Sequence, residues 1–259
     1  TERLNLSFFS TQNALLYKLK MGRHYLNNEL DVNYDRQAIA VAMGEEAEQE
    51  NTYQLFRVYW TPSMSFAFSK QQVVVKTRIS YAHQAYRQSR TGHLWVDPSI
   101  QWNWKVSALS SFSADVGYTN SPLTGKSFYD TPIFTTYRTQ KINQGKTAVT
   151  HDLRATATYK YANPVWGVFL NVSPMYARTS GNILYENVLN DRIFTIVATD
   201  KKRATETTGL SGYISKTFGW AKTLLGLGAS FTTTDYCMLV TGKVNVARMT
   251  VTSVALNFS

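Results

Sequence analysis

From Leu94 to Val106 the chain reads LWVDPSIQWNWKV. Every second residue (Leu94, Val96, Pro98, Ile100, Trp102, Trp104, Val106) is apolar, with Asp97, Ser99, Gln101, Asn103 and Lys105 between them. Period two marks a β-strand whose two faces meet different surroundings. A soluble sheet shows it as well, but here the apolar stripe ends in two tryptophans beside a turn, and the design recurs along the chain. An indole at the end of an apolar stripe suits a membrane-spanning strand: its ring sits at headgroup level and its N–H stays in water.

Composition agrees. With 44% hydrophobic and 14% aromatic residues, no run approaches the roughly 20 apolar residues of a spanning helix. A barrel strand needs only about 10 alternating residues, so its polar face hides the membrane from a hydropathy window. The formal charge of +10 does not point to nucleic acid, because the basic residues are spread one or two per strand (Lys18 and Lys20, Lys76 and Arg78, Arg154 and Lys160) instead of forming a patch. One cysteine, Cys237, rules out an intrachain disulfide framework and reads as a small near-apolar filler. The chain starts at Thr1 without a signal-like segment, which fits a processed chain or an internal piece of a longer one.

Alternation and turn chemistry predict about eleven antiparallel strands, near 3–10, 13–27, 52–69, 71–88, 92–105, 107–121, 147–162, 165–180, 203–218, 222–236 and 244–258. The expected short turns lie near 10–12, 69–71, 105–107, 163–164 and 219–221, and the long loops at 28–51, 122–146 and 181–202. Short turns on one rim and long loops on the other is the outer-membrane pattern, the short side being periplasmic. The whole of 1–259 reads as a single transmembrane β-barrel segment with no plug domain. Asp31 to Met43 is partly strand-like, so the first loop is expected to continue as a hairpin above the membrane.

Lipid-facing stripes can be named: Phe56, Val58, Trp60, Pro62, Met64, Phe66 and Phe68; Val73, Val75, Ile79 and Tyr81; Trp166, Val168, Leu170, Val172, Pro174 and Tyr176. Proline lacks the ladder donor, so bulges are expected at Pro62 and Pro174. Arg23 shares the face of Leu15, Tyr17, Leu19 and Met21, tolerable only at the outer rim. Phe66, Phe68, Trp102, Trp104, Tyr159, Tyr161, Trp166 and Trp220 lie near the short turns and are expected to ring one membrane interface. From Trp166 to Tyr176 is ten residues, which at about 3.3 Å each and a tilt near 45° climbs roughly 23 Å, close to the ≈ 25 Å band of such barrels. Val96, Ile100, Trp102, Val168, Leu170, Val172, Leu225, Leu227 and Phe231 should therefore be exposed in a single chain. Arg78, Asn103, Asp115, Arg154 and Asn171 should face the concave side.

No catalytic constellation is legible. His24, His83, His93 and His151 form no HExxH, no close pair and no CxxC partner set, and no GxSxG elbow occurs. His83 and His93 belong to opposite faces. Glu45, Glu46, Glu48 and Glu50 read as a solvated loop tip, since no Gly-bearing calcium loop accompanies them. The expectation is a protein that is not an enzyme and carries no cofactor or metal.

Several runs resemble a known family: HLWVDPSIQWNWKVSALSSFSADVGYTN, FYDTPIFTTYRTQ and HDLRATATYKYANPVWGVFLNVSPMYARTSGNILYE are similar to the C-terminal half of the barrel of TonB-dependent outer-membrane transporters of the Bacteroidetes type. The most specific pieces are VDPSI with WNW, IFTTYRT, and YKYANP. The likeness covers Leu55 to the end and concerns barrel lineage, not cargo. It implies an all-β, antiparallel transmembrane β-barrel of about 22 strands around a plug, of which this chain is an incomplete part. It also implies a place in the bacterial outer membrane, contact with outer-membrane lipid, energy from the TonB system through a missing N-terminal plug region, and a surface lipoprotein as a candidate partner in cargo capture.

The implied function is the barrel portion of a receptor importing a nutrient. Cargo contact is expected in loop 122–146, from Phe128, Tyr129, Phe134 and Tyr137 with Lys126, Arg138 and Lys141, because aromatic rings stack on sugars or nonpolar cargo and cations hold anionic groups. The alternative is a small complete barrel acting as a passive channel or surface-binding protein.

Overall fold

The computed structural model describes residues 2–43, 49–86, 89–122, 133–136, 138–142, 149–190, 193–220, 223–240 and 242–258, and contains no helix among them. Eleven long strands form one antiparallel wall: β1 (Glu2–Met21), β2 (His24–Met43), β3 (Gln49–Ala67), β4 (Gln71–Tyr86), β5 (Ser89–Lys105), β6 (Ser110–Pro122), β9 (Val149–Asn163), β10 (Val168–Gly181), β13 (Arg203–Phe218), β14 (Thr223–Val240) and β15 (Lys243–Phe258). Between β6 and β9 lie β7 (Ile133–Thr136) and β8 (Thr139–Ile142), and between β10 and β13 lie β11 (Leu184–Asn190) and β12 (Ile193–Thr199). The wall is open. β1 and β15 stand at its two edges and do not pair with each other, which makes it an incomplete barrel.

The expected number of wall strands is met, but two misreadings cancel in it. No turn occurs at 10–12: β1 runs through, with Ser10, Thr11 and Gln12 opposite Asp35, Tyr34 and Asn33. The turn is instead Gly22–Arg23, where Gly22 has φ +63°, the left-handed conformation that two-residue hairpins favour. Arg23 therefore lies in this turn, at the short-turn end of the wall. Residues 28–43, read as the start of a loop, belong to β2. Their polar residues Glu29, Asp31, Asn33 and Asp35 alternate with Leu30, Val32 and Tyr34, and polarity on the inner face of a barrel strand is not a loop signal. Of the acidic group, Glu45, Glu46 and Glu48 lie outside the described residues. Glu50 lies in β3, and its side chain is not among those described.

Residues directly opposite in an antiparallel ladder share a face, so the register tests the stripes. One outward row runs Tyr161, Leu170, Ile214, Leu227, Leu256 across β9, β10, β13, β14 and β15. Another runs Val32, Val58, Tyr81, Leu94 across β2 to β5. All the expected stripes fall on this one face. Val96, Ile100, Leu225, Leu227 and Phe231 are exposed, and Trp102, Val168, Leu170 and Val172 are half-buried. Arg78, Asn103, Asp115, Arg154 and Asn171 share the opposite parity. Buried hydrophobic residues are few among those described: Tyr53, Leu55 and Ala82 on the inner face, and Ile183, Leu184, Ala198 and Leu239 near the loops. A wall with this much apolar surface and so small a core has no soluble way to bury it.

The prolines do not produce bulges. Around Pro62 the β3–β4 ladder passes from Trp60–Ile79 to Ser63–Lys76 without a register shift, while Pro62 still faces Asn28 of β2. Around Pro174 it passes from Val172–Tyr159 to Met175–Thr156, while Pro174 faces Leu210 of β13. Each proline interrupts pairing toward one neighbour and leaves the other intact, as expected from one missing donor.

The 164–167 turn shows how a tight rim connection is specified. Asn163 Oδ1 accepts from the Trp166 N–H at 3.1 Å, and the Gly167 carbonyl accepts from the Thr217 N–H at 2.7 Å. Gly167 has φ +62°, and a Cβ there would sit 2.6 Å from the Thr217 carbonyl oxygen. Gly167→Val should therefore cost about 2 kcal/mol or more, from the left-handed backbone and the clash. Gly242→Ala, with positive φ but open space around it, should cost about 1 kcal/mol. The urea midpoints of the refolded full-length protein would separate the two.

Candidate functional site

The inner face carries a polar ladder across β1 to β6. The Ser10 hydroxyl donates to Asp35 at 2.6 Å, and Arg57 Nη2 donates to the other Asp35 oxygen at 2.8 Å. The Arg57 and Arg78 guanidinium groups both stand over the Tyr59 ring, at 5.6 and 5.2 Å. Arg78 donates through Nε and Nη2 to Asp97 Oδ2 at 2.9 and 2.7 Å. The second Asp97 oxygen accepts from the Asn120 backbone N–H at 2.9 Å and from its side-chain amide at 2.7 Å.

Asp97, at 5% exposure the most buried carboxylate among the described residues, closes a seam. The β5–β6 ladder stops at Ser99–Gly117, beside Pro98. Above it the Asp97 carboxylate, with Asn120, takes over the joining of β5 to β6. This gives VDPSI a physical meaning that alternation did not reveal: the proline ends one ladder and the aspartate repairs it. The signal was an acidic residue inside an otherwise regular strand.

The two long loops join each other. β8 pairs in parallel with β12, from Phe194–Thr139 to Val197–Ile142, β12 pairs with β11, and β11 touches the free upper edge of β14 at Glu186–Leu239. Gln140 donates to Thr195 at 2.7 Å. The loop is also held by the β14–β15 turn, where the Gly242 N–H donates to Glu186 Oε1 at 2.9 Å and the Gly242 carbonyl accepts from Lys201. At this junction a cleft of about 430 Å³ is lined by residues including Leu184, Tyr185, Asn187, Arg203 and Tyr236. The Lys141 ammonium lies 4.5 Å from the centre of the Tyr185 ring, and burial lowers its pKa from the ordinary lysine value.

Of the residues expected to touch cargo, Lys126, Phe128, Tyr129 and Tyr137 lie outside the described residues, and Phe134 lies in β7 with its side chain not among those described. Arg138 is exposed, and its carbonyl accepts from the Phe194 N–H at 2.8 Å. Lys141 is half-buried against Tyr185. The loop pairing thus brings Arg138 and Lys141 beside β11 and β12, a connection between distant segments that alternation could not foresee.

At the opposite, short-turn end, Trp102 and Trp104 stack at 5.8 Å and 7°, with Phe112 set edge-on to Trp102 at 5.4 Å. Phe66 and Tyr161 are half-buried there, while Phe68, Tyr159, Trp166 and Trp220 are exposed, the two tryptophans at 70% and 89%. His83 and His93 are on opposite faces: His83 pairs with Gly92, and His93 pairs with Ala82 and stacks on Trp95 at 5.4 Å. No group of three metal-ligating side chains occurs among the described residues.

No family model and no curated protein matches the chain in sequence. Solved structures match it in shape. The copper transporter OprC superposes with a TM-score of 0.62 at 8% identity, over 99% of this chain and 49% of that one. The siderophore receptor PirA from Pseudomonas aeruginosa gives 0.57 at 8% identity, over 98% and 50%. The FrpB iron transporter from Neisseria meningitidis gives 0.55 at 11% identity, over 95% and 42%. The chain spans about half the length of the structures it matches. Its open antiparallel wall shares the β-barrel fold of these transporters and receptors, as an incomplete part of such a barrel.

Proposed function

We propose that this chain is a stretch of barrel wall from a TonB-dependent receptor that imports a nutrient across the bacterial outer membrane, and that it is the C-terminal part of a barrel of the Bacteroidetes type. The observation that carries the reading is the continuous exposed apolar face opposite a polar, ion-paired inner face. In this reading the short turns face the periplasm, and their aromatics Phe66, Phe68, Trp102, Trp104, Tyr159, Tyr161, Trp166 and Trp220 sit at the inner interface. The loop sheet β7–β8–β12–β11 lies outside the cell. Cargo meets Phe128, Tyr129, Phe134, Tyr137, Arg138 and Lys141 there, with a surface lipoprotein as a candidate partner in capture. The TonB system acts through a plug region elsewhere in the whole protein.

Uptake by cells carrying the full-length protein tests this. Transport should stop when the proton-motive force is collapsed, and Arg138→Ala with Lys141→Ala should raise the half-saturating concentration of an anionic cargo by about tenfold, for roughly 1.4 kcal/mol of lost charged contact. Uptake that persists without energy, together with discrete conductance steps from the purified 259 residues, would instead favour a complete passive channel.

A further inference from the structure

The outward face carries charges at its upper edge, and they are not all balanced. On β10 and β13 Arg178 pairs with Glu206 at 3.3 Å, and on β14 and β15 Arg248 pairs with Asp235 at 2.7 Å. Across β2 to β5 the corresponding row reads Arg36, Gln54, Ala85, Arg90 by direct register. Arg36 and Arg90 are exposed, and neither takes part in the ion pairs among the described residues. Below that row lie Tyr34, Phe56 and His83, and next Val32, Val58, Tyr81 and Leu94. Tyr34, Gln54, Phe56, His83, Ala85 and Arg90 line a cleft of about 280 Å³ in this face.

The level of the cleft follows from strand length. His83 is twelve residues from Gln71 at the foot of β4, and Arg90 is fifteen from Lys105 at the foot of β5. At about 3.3 Å per residue and 45° tilt these lie roughly 28 and 35 Å above the short turns, at or just beyond the far edge of an apolar band ≈ 25 Å tall. A guanidinium there without an acidic partner among the described residues faces headgroups, and phosphate is the group its fork geometry fits.

We infer that this cleft is a binding site for an acyl lipid bearing a phosphate headgroup in the outer leaflet. The acyl chains lie along Leu94, Tyr81, Val58 and Val32, Arg90 holds the phosphate in the cleft beside His83 and Tyr34, and Arg36 supplies the second positive edge. The inference rests on the outer-membrane reading.

The test uses the full-length protein in detergent and native mass spectrometry. The probes are bisphosphorylated lipid A, its dephosphorylated form and inorganic phosphate. Wild type should retain the bisphosphorylated lipid at least fivefold better than the dephosphorylated one, with no retention of inorganic phosphate. Arg36→Gln with Arg90→Gln should abolish that preference, whereas Arg178→Gln should preserve it. Equal retention of the two lipids by folded wild type would overturn the site, as would a preference that survives the double substitution. Retention of inorganic phosphate alone would overturn it as well, showing an anion site with no lipid component. The lipid comparison on wild type holds even if the double variant fails to fold. Failure of the outer-membrane reading would look different, since wild type itself would not fractionate with outer membranes.

Discussion

Asp97→Ala should be among the most damaging single substitutions in the wall. It removes the acceptor of four hydrogen bonds, two from Arg78 and two from Asn120. Breaking a buried ion pair from one side costs about 3–5 kcal/mol. The lower end applies here, because the Arg78 side chain is 36% exposed and inner-face water can resolvate it. The loss should appear as a lowered urea midpoint of the refolded full-length protein, by about 3 kcal/mol. Asp97→Asn should recover part of it, since an amide oxygen still accepts from Asn120. Arg248→Ala, which breaks a pair whose arginine is 70% exposed, should leave the midpoint nearly unchanged, because water screens and resolvates both groups. Equal effects at Asp97 and Arg248 would show that the carboxylate does not close the β5–β6 seam.

Leu170→Arg should cost about 2 to 4 kcal/mol in the intact protein, because Leu170 lies in the lower half of the Trp166 to Tyr176 stripe and a cation there displaces lipid contact. The same replacement at Tyr176, near the far interface, should cost roughly 0 to 1 kcal/mol. Asn171, exposed on the opposite face, should accept arginine with little effect on assembly. Outer-membrane levels and unfolding midpoints of the three variants check this, and equal tolerance at Leu170 and Asn171 would remove the lipid-facing stripe. The paired design isolates direction from position, since the two residues are neighbours on one strand.

The alternation of β3, β4, β5, β10 and β14 was legible in the sequence because each side chain had only two possible environments, and period two states which one it meets. That Trp102, Trp104 and Trp166 stand beside short turns was legible from the turn residues next to them; their place at a membrane interface is part of the proposal. The first hairpin was not. Ser10 to Gln12 resembles a turn by composition, and residues 28–43 resemble a loop, because inner-face polarity and loop polarity use the same amino acids. What separated them was pairing with a neighbouring strand and a glycine able to take positive φ at Gly22.

The prolines teach a related lesson. A missing N–H was visible in the sequence, but whether it shifts the register or only opens one ladder depends on the two flanking strands. At Pro62 and Pro174 the intact pairing on the other side held the register.

For the candidate site, the sequence by itself determined the two faces of β3, β4, β5, β10 and β14, since that choice is local to each strand. Only the tertiary structure decided that Asp97 meets Asn120, that β8 pairs with β12, and that Arg90 lines one cleft with Tyr34 and His83. Those contacts join segments far apart in the chain, and their register is set by the strands between them, which no local periodicity encodes.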